Sequence, residues 1–155
     1  MNACYPIMRI SPLLLGMTAL TIGCGGAADM SQTDSATYGS AQELIVEMKS
    51  FGLDCTGVEP IAKSDREWGQ ESALDVADCE LEGETMNITI WKDSGQKKNW
   101  VGMGKSIGCE FAKAFGITEI DYVDGGLWTL GGVSNTLAEK IASEFEGEAI
   151  QVNCD

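Results

Sequence analysis

The sequence predicts an α+β domain in two layers, with helices on one face of a mainly antiparallel sheet. Two observations predict it. Apolar residues recur at helical spacing in three separate stretches, each opened by a capping side chain and followed by a glycine. Apolar and polar residues alternate in short paired runs joined by Gly-containing turns, as hairpins require. The resulting order is helix, hairpin, helix, hairpin, helix, strand.

The first helix opens at Ser40-Ala41-Gln42-Glu43, a capping box, and carries Leu44, Ile45, Met48 and Phe51 as one stripe. Gly52 ends it, and Leu53 is placed to fold back over it. Residues 56–75 are polar and contain Gly57, Pro60 and Gly69, which predicts an irregular segment with a short helical turn around 64–68. Val76 to Leu81 and Met86 to Trp91 form the first hairpin. Cys79 and Leu81 face one way and Glu80 and Glu82 the other, while Met86, Ile88 and Ile90 alternate with Asn87 and Thr89. Such alternation fits a sheet with one face on a core and the other in water or lightly covered.

Asp93 and Gln96 cap the second helix, whose stripe is Trp100, Met103, Ile107, Phe111 and Phe115, with Gly116 as its stop. Gly102, Gly104 and Gly108 each weaken it by about 1 kcal/mol relative to Ala, which predicts a kink or break. Glu119 to Val123 and Leu127 to Leu130 form the second hairpin around Asp124-Gly125-Gly126. Ser134 caps a last helix with Leu137, Ile141, Ala142 and Phe145 inward and Gly147 beyond its end, and Ala149 to Asn153 is a short closing strand. From Met86 onward the order reads βαββαβ, the ferredoxin-like order, preceded by an N-terminal helix and an extra strand. In that order the Met86 strand is flanked on both sides, so a hairpin partner at Val76–Leu81 competes for one flank.

Before the domain lies an export signal. Arg9 supplies a positive charge, Ile10 to Ile22 are apolar, and Gly23 precedes Cys24. As α-helix this apolar run would span about 20 Å, short of the ~30 Å hydrocarbon core, so it reads as a cleaved signal. Residues 1–7 precede a second methionine, and initiation at Met8 would put Arg9 directly after the initiator. The organisation expected is a signal peptide over 1–23, a lipidated Cys24 with a flexible tether over 24–39, and a single domain over 40–155. The tether is rich in Gly, Ala, Ser and Thr and would reach roughly 20 Å as a coil.

The chain has six cysteines, no histidine and a formal net charge of −14. That charge argues against nucleic acid and against electrostatic adhesion to anionic lipid, since phosphates would be repelled. Setting Cys4 and Cys24 aside leaves Cys55, Cys79, Cys109 and Cys154, which reads as two disulfides with three connectivities open. The pairing expected is Cys55 with Cys79, stapling the long polar segment, and Cys109 with Cys154, which shares a face with Ile150 and Val152. The second pair needs the helix broken near Gly108, because on one regular helix Cys109 turns away from Ile107 and Phe111. No CxxC pair is present, so a zinc knuckle or a thioredoxin-like site is not expected, and no metal or cofactor is assigned.

Other motifs are weak. Gly102-Met103-Gly104-Lys105-Ser106 resembles part of a phosphate-binding loop, but Asn99 stands where the leading Gly belongs and a helical pattern precedes it. Asn87-Ile88-Thr89 matches a glycosylation sequon within a strand. Glu80, Glu82 and Glu84, with Asp121 and Asp124, are the candidate acid–base carboxylates, read chiefly as solvated. Calcium has no EF-hand spacing to recommend it. Of four tryptophans, Trp100 belongs to a helical stripe, whereas Trp68 and Trp91 fall outside the apolar registers. Core packing or loop anchoring is the plainer reading of those two, and an exposed contact patch the alternative.

Thr21-Ile22-Gly23-Cys24 resembles the lipobox of bacterial lipoproteins, with Thr21 in the place usually held by Leu. The resemblance implies diacylation of the Cys24 thiol, cleavage before it, and a lipid-anchored location on the extracytoplasmic face of the cell membrane. Gly52-Leu53-Asp54-Cys55 after the first helix, the Cys79 strand, and Gly126-Leu127-Trp128-Thr129-Leu130 before the last helix are similar to small uncharacterised lipoproteins of Gram-positive actinobacteria. That resemblance implies a cell-envelope protein and carries no catalytic residue. With no nucleophile–base set in view, the expected function is a non-enzymatic binding or interaction module, its partner an envelope protein or ligand. The alternative is a lipoprotein inhibitor or immunity factor with an acidic face, and a carboxylate-dependent hydrolase comes third.

Overall fold

A computed structural model describes residues 37–67 and 69–155. The residues read as an export signal, both candidate start sites, Cys24 and Trp68 lie outside the described residues. Helix α1 (Ala41–Ser50) starts as its sequence dictates: Ser40 Oγ accepts from the Glu43 backbone N–H at 3.2 Å, and the Glu43 carboxylate accepts from the Gly39 N–H at 2.7 Å. At the other end Gly52 takes a positive φ of 87°, and the Leu53 N–H returns to the Met48 carbonyl. Leu53 is thereby buried with Leu44, Ile45 and Met48.

Six strands form one sheet: β1 (Thr56–Pro60), β2 (Asp75–Leu81), β3 (Glu84–Ile90), β4 (Glu119–Gly125), β5 (Trp128–Gly131) and β6 (Glu148–Asn153). Their order is β1-β2-β3-β5-β4-β6, and every neighbouring pair is antiparallel. The domain is therefore α+β, as its sequence predicts. The central β3-β5-β4 order is ferredoxin-like, but β2 occupies the flank of β3 and β6 lies at the far edge beside β4. The reason is local. Glu82 and Gly83 both have positive φ (54° and 85°), the geometry of a tight hairpin turn, and they join β2 to β3 with Leu81 opposite Glu84. A partner one turn away is reached at far less loop entropy than one at the end of the chain.

Strand β1 is a correction to the irregular segment expected at 56–75. It is an exposed edge strand ending at Pro60, where a missing N–H costs least. The segment at 63–65 forms turns without a helix.

The layering also differs from the one-face expectation. Helices α1 and α4 (Asn135–Glu144) pack on one face, over Ala77, Cys79, Met86, Ile88, Ile90, Val123 and Leu130. The middle helix crosses to the opposite face, where Trp91, Trp100, Ile120 and Val152 are packed. It runs as α2 (Ser94–Met103), a π-helical turn (Gly104–Gly108) and α3 (Cys109–Ala114). The predicted break is thus a widened turn. Beyond it, Cys109 and Ala112 are buried while Ile107, Phe111 (68 % exposed) and Phe115 (67 %) face out. The expected stripe therefore holds only as far as the π turn. The extra residue rotates the helix so that Cys109 reaches Cys154.

Two disulfides are formed, Cys55–Cys79 and Cys109–Cys154. Among the described residues no helix is long and apolar enough to cross a membrane.

Candidate functional site

The second face of the sheet is polar where it is covered. One transverse row runs Asp78, Asn87, Gly131, Tyr122 across β2, β3, β5 and β4. In the middle of that row Gly131 has no side chain, and a Cβ built there meets no atom within 4 Å. Above it the helix widens through the π turn, where Gly104 likewise leaves its surroundings open. Absent side chains below and a widened backbone above leave a cavity of about 420 Å³. That lies in the lower part of the ~300–1,000 Å³ range of small-molecule sites.

Its walls differ in character. Trp100, Ile120 and Val152 make an apolar side, and Tyr122 stands edge-on to Trp100 with ring centroids 6.1 Å apart. Burial, then Asp124 and Glu148, pushes the Tyr122 phenol above its ordinary value, so it stays neutral.

The opposite end is a polar relay. Asn87 Nδ2 donates to Asp78 Oδ1 at 2.8 Å. A carboxylate only accepts, which fixes the Asn87 amide and turns its Oδ1 toward Gln70 and Thr89. Gln70 Nε2 donates to that oxygen at 2.6 Å and to Thr89 Oγ1 at 2.8 Å, while Thr89 Oγ1 donates to Asn87 Oδ1 at 3.0 Å. Gln70 is 1 % exposed and lines the cavity, and its Oε1 is buried with no partner among the described residues. An orphaned buried acceptor is costly, about 1–3 kcal/mol, and is a group that a ligand would satisfy.

Two further contacts hold the roof. Lys97 of α2 pairs with Asp124 of β4. Trp91, next to the end of β3, donates its indole N–H to Thr129 Oγ1 at 3.1 Å and packs against Trp100, ring centroids 5.5 Å apart. Trp91 is 1 % exposed. The contact-patch alternative for Trp91 is therefore corrected: the covering helix buries the face on which it projects.

Of the candidate carboxylates, Asp121 lines the cavity, its Oδ1 buried and without a partner among the described residues, and the others disperse. Glu82 pairs with Lys140, and Glu84 accepts from the Ser134 N–H and hydroxyl at the start of α4. Asp124 is held by Lys97, and Glu80 is exposed. Residues 102–106 are helical, unlike a phosphate-binding loop. Among the described residues no group of three His, Cys, Asp or Glu side chains is placed to hold a metal ion.

Gln70 and Asp78 were not singled out by sequence, and Asn87 was marked only within a sequon and an alternating strand. Alternation shows that Asp78, Asn87 and Thr89 share a face, but the pattern is the same whether that face is wet or covered. The available signal was the spacing of Gly102, Gly104 and Gly108 with the Gly131-Gly132 pair. No protein-family model, curated protein or solved structure matches the chain.

Proposed function

We propose that this chain is a lipid-anchored, extracytoplasmic binding module of the cell envelope, without enzymatic activity, which takes a small ligand between its sheet and the π-containing helix. The observation that carries the binding reading is the cavity over Gly131, with one apolar side and, at its polar end, Gln70, whose Oε1 has no partner among the described residues. The two disulfides suit an oxidising compartment, and the lipobox at Cys24 supports the anchor.

The binding reading is tested by filling the cavity. Gly131 has room for a side chain, so Gly131→Leu should fold and should lose the fragments that bind the unmodified protein in ligand-observed NMR. Fragments that bind both proteins equally would count against the cavity. The anchor is tested separately: Cys24→Ala should abolish palmitate labelling, and persistent labelling would sink the lipoprotein reading.

A second reading, an inhibitor or immunity factor that blocks another protein, is favoured by one observation. Phe111 and Phe115, ring centroids 4.8 Å apart, are exposed beside Ile107 and Ile117 on a chain of net charge −14. Such a patch is a common mark of protein contact.

A further inference from the structure

We infer that the ligand of this cavity is a small organic cation, a protonated amine on an apolar or aromatic body, with its N–H donated to Gln70 Oε1 and its body against Trp100. The inference rests on the cavity being the binding site and adds the chemical class of what fills it.

Asp78 stands at the head of the relay. Because its carboxylate can only accept, each amide of the relay is oriented in turn, and the last free atom is a carbonyl oxygen. The polar end therefore asks for a donor. A ligand carboxylate or phosphate would bring a second acceptor against Gln70 Oε1 and leave both unsatisfied.

Charge selects among donors. Asp78 is half-buried and one residue removed from Gln70 in the relay, so its field reaches the cavity with less screening than that of a surface group. The other charged residues at the cavity are Glu67 and Lys105, which are exposed and opposite in sign, and half-buried Asp121, a second acidic group. A net charge of −14 adds to the attraction at long range. The apolar side supplies the remainder: Trp100 presents an aromatic surface, and a cation near an indole gains further attraction.

The test uses the full-length oxidised protein and three probes of nearly one shape: phenethylamine, phenethyl alcohol and hydrocinnamate. The amine should bind, the alcohol should bind about tenfold more weakly, and the carboxylate should not bind, the first difference being that of a charge-assisted hydrogen bond over a neutral one. Gln70→Leu and, as a milder change, Asp78→Asn should each weaken the amine about tenfold while moving the alcohol no more than about twofold. Circular dichroism and intact disulfides verify the fold of each variant. Equal affinity for amine and carboxylate, no binding of the amine, or amine affinity unchanged in the folded Asp78→Asn protein would each overturn the inference. The two levels separate through Gly131→Leu. If other fragments bind and are lost in that variant while the amine fails, only the cation assignment falls. Where amine binding survives Gly131→Leu, the cavity itself is not the site.

Discussion

Gly125 and Gly131 sit in paired hairpin strands, and their surroundings are opposite. A Cβ at Gly125 would lie 1.9 Å from the Trp128 ring, which stacks in the main core beside Phe145 with centroids 5.7 Å apart. Overpacking of that kind costs about 1–3 kcal/mol, so Gly125→Ala should lower the urea midpoint with little change in slope. A midpoint equal to that of the unmodified protein would show the ring free to move aside. Tyr38 supplies a pH signature. Burial, with Glu47 and Glu146 nearby, raises its phenol from 10.0 to about 12. Its neutral form is favoured in the fold, so its contribution is complete below pH 10 and is lost as pH rises toward 12. A Tyr38→Phe protein should lose less stability than the parent across that alkaline window, measured by urea denaturation at each pH. At this scale the cysteines were legible, because their parity and positions along the elements suffice. Trp91 was legible only as the plainer of two readings, core packing, because its environment comes from a helix that follows it in the chain.

The middle helix depends on one extra residue. Through the π turn Gly104–Gly108 the backbone advances so that Cys109 and Ala112, rather than Phe111 and Phe115, meet the sheet. Three glycines near one another announced a weakness in the helix, and the Cys109–Cys154 pairing required a break near Gly108. The form of the break was not legible, since a kink and a π turn use the same residues. Deleting Ser106 should restore α-helical phase and rotate Cys109 away from Cys154. Thiol titration under denaturing, non-reducing conditions should then find those two cysteines free. A protein that still forms the Cys109–Cys154 bond would show that the widened turn is not what aims Cys109. Strand β1 was hidden for a different reason: an exposed edge strand carries no apolar alternation to read.

For the molecule as a whole, the two disulfides span sequence separations of 24 and 45 and are worth roughly 3.5 and 4 kcal/mol in a loop-entropy account. That is a large share of the ~5–15 kcal/mol stability of a typical domain. One bond fastens the link between α1 and β1 to β2 on one face, and the other fastens α3 to the chain after β6 on the opposite face. The α+β class, the helix caps and the hairpins were legible because each is set by neighbours in sequence. Strand order and layering were not, since the polar face of β2 and β3 reads alike whether water or a helix covers it. That covered polar face is what makes the cavity in which a small ligand is proposed to bind. The most direct measurement is a side-chain NMR map of the full-length protein titrated with a fragment that binds it. The Trp100 indole and the Gln70 amide should shift together, the Trp128 indole should stay, and Gly131→Leu should abolish the response. Shifts confined to the Phe111 and Phe115 rings, with Gln70 and Trp100 unmoved, would contradict the account.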